Sequence, residues 1–115
     1  MFSQEILKGT IKPLIIKLIQ DEGEMYGYRI TQKVKEMSAE KIIITEGALY
    51  PALHKLVEEG ILTVESKPVG NRDRRYYSLT DLGKQTASSK LEEIKDSIWT
   101  LVQLFDLKPA VYDIK

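Results

Sequence analysis

The chain has 115 residues, no cysteine, a single histidine and 17 Lys+Arg balanced by 17 Asp+Glu. That length suits one domain with a modest core, and the composition excludes disulfide staples, zinc fingers, thiol catalysis and His-based metal sites. Formal neutrality argues against indiscriminate nucleic-acid binding, and the longest apolar runs, Leu14–Ile16 and Ile42–Ile44, fall far short of the roughly 20 residues that span a membrane.

Met1-Phe-Ser-Gln-Glu lacks the features of a signal peptide, so a soluble cytoplasmic protein is expected. A short lead helix is predicted over about residues 3–8. A break or kink then follows at Gly9-Thr10, because Pro13 would otherwise lose a donor and clash inside a helix. With Thr10 as a fresh cap, Pro13 falls in a first turn, where donors lack helical partners anyway. Ile11, Leu14, Ile15, Leu18 and Ile19 then form one apolar stripe at helical spacing. Asp21-Glu-Gly23 ends the element.

Gly27–Met37 is the second predicted helix, with Ile30, Val34 and Met37 inward. Ile42–Ile44 is β-branched and too short for a helix, so it reads as a small strand. Thr45 caps a third helix running to Glu59, with Gly60 as a left-handed C-terminal cap. Helical spacing places Leu49, Ala52, Leu53 and Leu56 on its buried face and Gly47, Tyr50, Pro51, His54 and Glu58 opposite. Pro51 lies beyond the first turn and predicts a bent or tightened start.

Ile61–Ser66 and Arg75–Leu79 are predicted strands around a loop turning at Gly70-Asn71. Tyr76 and Tyr77 point to opposite faces, one buried and one exposed. Thr80-Asp81 caps a last helix extending to about Leu107, before Pro109. Along it, Ala87, Leu91, Ile94, Ile98, Leu101 and Phe105 make a heptad seam. A three-helix core plus wing cannot cover so long a stripe within one subunit. Self-association is expected, with Leu91, Ile94, Ile98, Leu101 and Phe105 at the interface; packing on its own domain is the blander reading. The fold class is mainly α with a small β-wing. It divides into a winged helix-turn-helix over 1–80, a long C-terminal dimerisation helix over 81–108 and a tail over 109–115.

A third helix in this layout offers its N-terminal, solvent-facing residues to DNA. Here these are Thr45, Gly47, Tyr50 and His54, beside Glu46. Lys55, toward the side of the helix, suits a phosphate, and Arg29 and Lys33 on the second helix suit backbone contacts. The sharpest local excess of charge lies in Lys67–Arg75, with Asp73 its one acid. Arg72 and Arg74 at the wing tip suit phosphates or a minor groove; Arg75 suits either DNA or an acid within the fold. No bidentate base reader stands on the exposed face, so shape and half-site spacing are expected to carry much of the specificity. Against these stand a Tyr50 packed on the wing, a merely solvated His54 and a solvated, charged hairpin.

Trp99 sits one residue off the seam. It could stack on a planar ligand in a pocket with Ile94, Ile98 and Val102, although packing is the commoner role. Neither a catalytic constellation nor a phosphate-cradling loop nor a metal-ligand cluster is present, so no enzyme and no cofactor is expected.

Leu7-Lys-Gly-Thr10, Tyr26-Gly-Tyr28, Thr45-Glu-Gly-Ala-Leu-Tyr-Pro-Ala-Leu53, Glu59-Gly-Ile-Leu62 and Arg74-Arg-Tyr-Tyr-Ser-Leu-Thr-Asp-Leu-Gly83 together resemble the PadR family of bacterial transcriptional regulators. The similarity covers about residues 5–84, and the single C-terminal helix resembles the short subfamily. The resemblance implies a homodimeric repressor on a roughly palindromic double-stranded operator. The third helix and wing would contact DNA, and the last helix would cross to the partner and set the spacing of the reading heads. A small apolar or phenolic effector near the dimer interface would relieve repression by a population shift. The drug-sandwiching aromatic position of multidrug-binding members falls at Ile94 rather than Trp99, so that sandwich does not carry over. The competing reading is a winged-helix protein-interaction module without sequence-specific DNA binding. Zero net charge favours it and the arginine-tipped wing opposes it.

Overall fold

The computed structural model describes residues 1–107; the end of the last expected segment at 108 and the tail at 109–115 lie outside them. The elements in order are α1 (Gln4–Glu22), β1 (Met25–Tyr26), α2 (Gly27–Met37), α3 (Glu46–Glu58), β2 (Leu62–Val69), β3 (Arg72–Leu79) and α4 (Asp81–Leu104). The sheet is antiparallel in the order β1-β3-β2. Helices α1 to α3 with this small sheet make a winged helix-turn-helix, and α4 is the long C-terminal helix.

Helix α1 starts where the Ser3 hydroxyl accepts the Ile6 N–H at 3.2 Å. The break expected at Gly9-Thr10 does not occur. Thr10 instead donates its hydroxyl to the Ile6 carbonyl at 2.7 Å, and Pro13 lies within one continuous helix. A mid-helix proline costs about 3 kcal/mol. One unbroken helix buries Leu7, Ile11, Ile15, Ile16, Leu18 and Ile19, each contributing about 1.5–3 kcal/mol. Burial wins.

In α2, Ile30 and Val34 are buried as predicted, but Met37 is 66% exposed. The helix ends there, and Ala39 and Glu40 take left-handed φ values of 52° and 65°, turning the last side chain to solvent. Ile42–Ile44 is not a strand. The Ser38 hydroxyl takes the Ile42 N–H at 2.9 Å, and of the three isoleucines only Ile44 is fully buried. A β-branched run still needs a partner edge, and β1 occupies the one offered by β3, pairing Met25 with Tyr77 and Tyr26 with Tyr76.

Helix α3 is capped by the Thr45 hydroxyl, which accepts the Ala48 N–H at 3.2 Å. It buries Leu49, Ala52, Leu53 and Leu56. At its end Gly60 adopts φ +77°, with Gly60 N–H donating to Val57 and Ile61 N–H to Leu56. This paired pattern satisfies the orphan carbonyls of the last turn.

Strands β2 and β3 run longer than predicted and meet at a Gly70-Asn71 turn, where Gly70 has φ +63°. Tyr77 is the buried tyrosine and Tyr76 the half-buried one. Thr80 caps α4 by accepting the Gly83 N–H at 2.9 Å, while its own hydroxyl donates to the Gly60 carbonyl. One core cluster therefore runs from Leu7 to Ala87. Helix α4 stops at Leu104, short of Leu107, because Asp106 turns left-handed and Leu107 N–H folds back to the Val102 carbonyl.

Beyond Ala87 the heptad seam leaves the core. Leu91 and Ile94 are half-buried, whereas Ile98, Leu101 and Phe105 are exposed at 52%, 49% and 70%. No described helix is long and apolar enough to cross a membrane. Among the described residues no cluster could hold a metal ion.

Candidate nucleic-acid interface

Thr45, Glu46 and Gly47 at the start of α3, and His54 and Lys55 farther along it, lie at the surface. A Cβ on Gly47 would meet only the Thr45 hydroxyl, at 3.9 Å, so an approaching backbone has open access there. Tyr50 is half-buried. Its ring packs on the start of α2, where a Cβ on Gly27 would stand 2.7 Å from the Tyr50 hydroxyl. The ring's partner is therefore α2.

Tyr50, Tyr28, Arg72 and Arg75 border one groove of ≈ 410 Å³ between the start of α2, the middle of α3 and the wing. Strand alternation places Arg72, Arg74 and Tyr76 on one face of β3 and Asp73, Arg75 and Tyr77 on the other. No acid among the described residues forms an ion pair with Arg75. Burial pushes the Tyr77 hydroxyl pKa up, opposed by the neighbouring Arg75 charge.

Tyr26 and Arg74 line the same groove, and cations brace the wing there and beside it. Arg74 lies over the Tyr26 ring at 4.0 Å, and Lys67 over the Tyr76 ring at 5.0 Å. Lys67 also donates to Glu24, and that hydrogen bond raises its pKa. On α2, Arg29 pairs with Glu36 at 3.5 Å and Lys33 with Glu22 at 3.6 Å. These largely exposed pairs contribute little to stability and exchange readily for phosphate.

Sequence reasoning missed Tyr28, which is 66% exposed at the groove, and the bracing role of Tyr26. Tyr26 lies in β1, whose two residues are too few to leave a periodic signal, and Tyr28 stands in the first turn of α2.

On α4, Ile94, Ile98 and Trp99 line a shallow, mainly apolar depression of ≈ 570 Å³, with Lys95 and Asp96 beside them; Val102 does not line it. Trp99 is 56% exposed. The arrangement offers arginine and backbone donors on one side and an uncovered apolar helix on another.

Residues 15–89 match the model of the transcriptional regulator PadR-like family. The chain is 36% identical over 77 residues to the negative transcriptional regulator PadR of Bacillus subtilis, covering 66% of this chain and 42% of that protein. Among solved structures, it is similar to a transcriptional regulator from Clostridium thermocellum, with a TM-score of 0.75 and 26% identity, covering 90% of this chain and 97% of that one. It is also similar to Bacillus subtilis PadR in complex with operator DNA, with a TM-score of 0.63 and 34% identity, covering 70% of this chain and 46% of that one. The chain thus spans less than half the length of the Bacillus subtilis relative.

Proposed function

The chain belongs to the PadR-like family of transcriptional regulators, and from that premise we propose that it is a dimeric repressor reading a pseudo-palindromic double-stranded operator. The observation that carries this reading is the shared groove, where Tyr50 of the third helix and Arg72 and Arg75 of the wing border the same space. In this reading Thr45, Gly47, Tyr50 and His54 face base edges or sugars. Lys55, Arg29 and Lys33 take phosphates, and Arg72, Arg74 and Arg75 carry the wing onto the adjacent backbone. The likeness to a relative solved with operator DNA supports it.

The dimer rests on the exposed stretch of α4. Leu91, Ile94, Ile98, Leu101 and Phe105 would meet the same residues of a second copy, and α4 would set the spacing of two reading heads. The depression at Ile94, Ile98 and Trp99 suits a small apolar effector, with Val102 contributing only if the partner reshapes it.

A fluorescence-anisotropy titration with the DNA upstream of the chain's own gene, at two salt concentrations beside scrambled DNA, tests the reading. Tight, selective, salt-sensitive binding at two protomers per site is expected. Equal, weak binding to both duplexes would instead favour a protein-interaction module.

A further inference from the structure

We propose that Tyr26 is a positioning residue for the wing, its ring holding the Arg74 guanidinium in one plane so that the edge N–H donors face the nucleic-acid backbone. The proposal rests on the operator-binding reading above. The guanidinium carbon lies 4.0 Å from the Tyr26 ring centroid. Stacking uses the flat face of the group and leaves its in-plane donors, the ones that meet a phosphate oxygen, unobstructed. A long side chain otherwise loses rotamer freedom on binding; here part of that ordering precedes DNA.

The ring is itself held. Tyr26 pairs with Tyr76 across β1 and β3, and the two rings meet edge-to-face at 5.6 Å and 72°. Lys67 covers Tyr76 at 5.0 Å and donates to Glu24, just before β1. Contacts therefore run from Arg74 through Tyr26, Tyr76 and Lys67 back to the turn that opens α2. They tie the wing arginine to the helix-turn-helix body, so both move as one reading head. Among the described residues no ring lies against Arg72, which is on the same face but exposed nearer the tip.

The test compares wild type, Tyr26→Leu, Tyr26→Phe, Arg74→Ala and the Tyr26→Leu/Arg74→Ala double variant. Two measurements are made: nitrogen-15 relaxation of the Arg74 Nε–Hε group in the free protein, and anisotropy with the upstream duplex. Wild type and Tyr26→Phe should show an ordered Arg74 and equal affinity. Tyr26→Leu should free the guanidinium and weaken DNA binding about five- to tenfold. The double variant should bind no more weakly than Arg74→Ala alone, a non-additivity that general loosening of the fold would not produce. A mobile Arg74 in wild type, or a freed Arg74 with unchanged affinity, would overturn the proposal. If Arg74 is ordered yet wild type binds no duplex, the operator-binding reading fails and this one with it. The relaxation data tell the two failures apart.

Discussion

The Tyr50 hydroxyl occupies the space that a side chain on Gly27 would need, 2.7 Å from the position of its missing Cβ. The start of α2 thus sets the pose of an aromatic ring on the face of α3 proposed to meet DNA. The blocking atom ends a side chain, so the ring can yield where backbone could not. Gly27→Ala should cost about 1 kcal/mol of stability by overpacking and weaken operator binding by displacing Tyr50. Denaturant titration and anisotropy measure the two effects. Unchanged DNA affinity beside lost stability would remove Tyr50 from the interface.

Gly83 presents the opposite case. A Cβ there would run into the backbone carbonyl of Ile61, where β2 begins and where Thr80 also docks. Neither partner can swing away. Gly83→Ala should destabilise by about 3 kcal/mol, read as a lower denaturant midpoint. A loss below about 1 kcal/mol would mean that α4 shifts freely on the core.

Because Ile98 and Leu101 are about half exposed within one chain, charge placed there should spare the fold and split the dimer. Ile98→Glu and Leu101→Glu are expected to retain wild-type helix content by circular dichroism while light scattering reports a monomer. A wild-type protein already monomeric at the same concentration would reject the α4 interface.

Arg72 sits exposed at the wing tip. If it neutralises one phosphate, Arg72→Ala should flatten the dependence of log affinity on log salt by about 0.9. An unchanged slope would place Arg72 away from the DNA.

Alkaline pH should destabilise the fold through Tyr77. Its pKa is raised, chiefly by burial, so the folded state keeps a proton that the unfolded chain releases. The stabilisation is complete below the unfolded value of about 10 and is lost as pH rises through the folded value. Lys67, raised by its hydrogen bond to Glu24, acts in the same direction. Melting temperature should therefore fall from about pH 10 upward, and Tyr77→Phe should flatten that decline without abolishing it. An identical decline in the variant would clear Tyr77.

Helix spacing identified the buried face of α3, and turn residues the turn at Gly70-Asn71, since helix spacing, capping and left-handed turns are properties of neighbouring residues. The winged-helix layout and the basic wing were legible for the same reason. What depended on distant partners was not. Pro13 stays inside α1 because tertiary burial outweighs its local cost. Ile42–Ile44 remains unpaired because two residues, Met25 and Tyr26, take the edge of β3. Which tyrosine is buried, which ring Arg74 rests on and which face of the wing meets α3 were decided by packing between segments far apart in the chain. The residue types of the proposed reading surface were written locally; their poses come from the tertiary contacts that hold them.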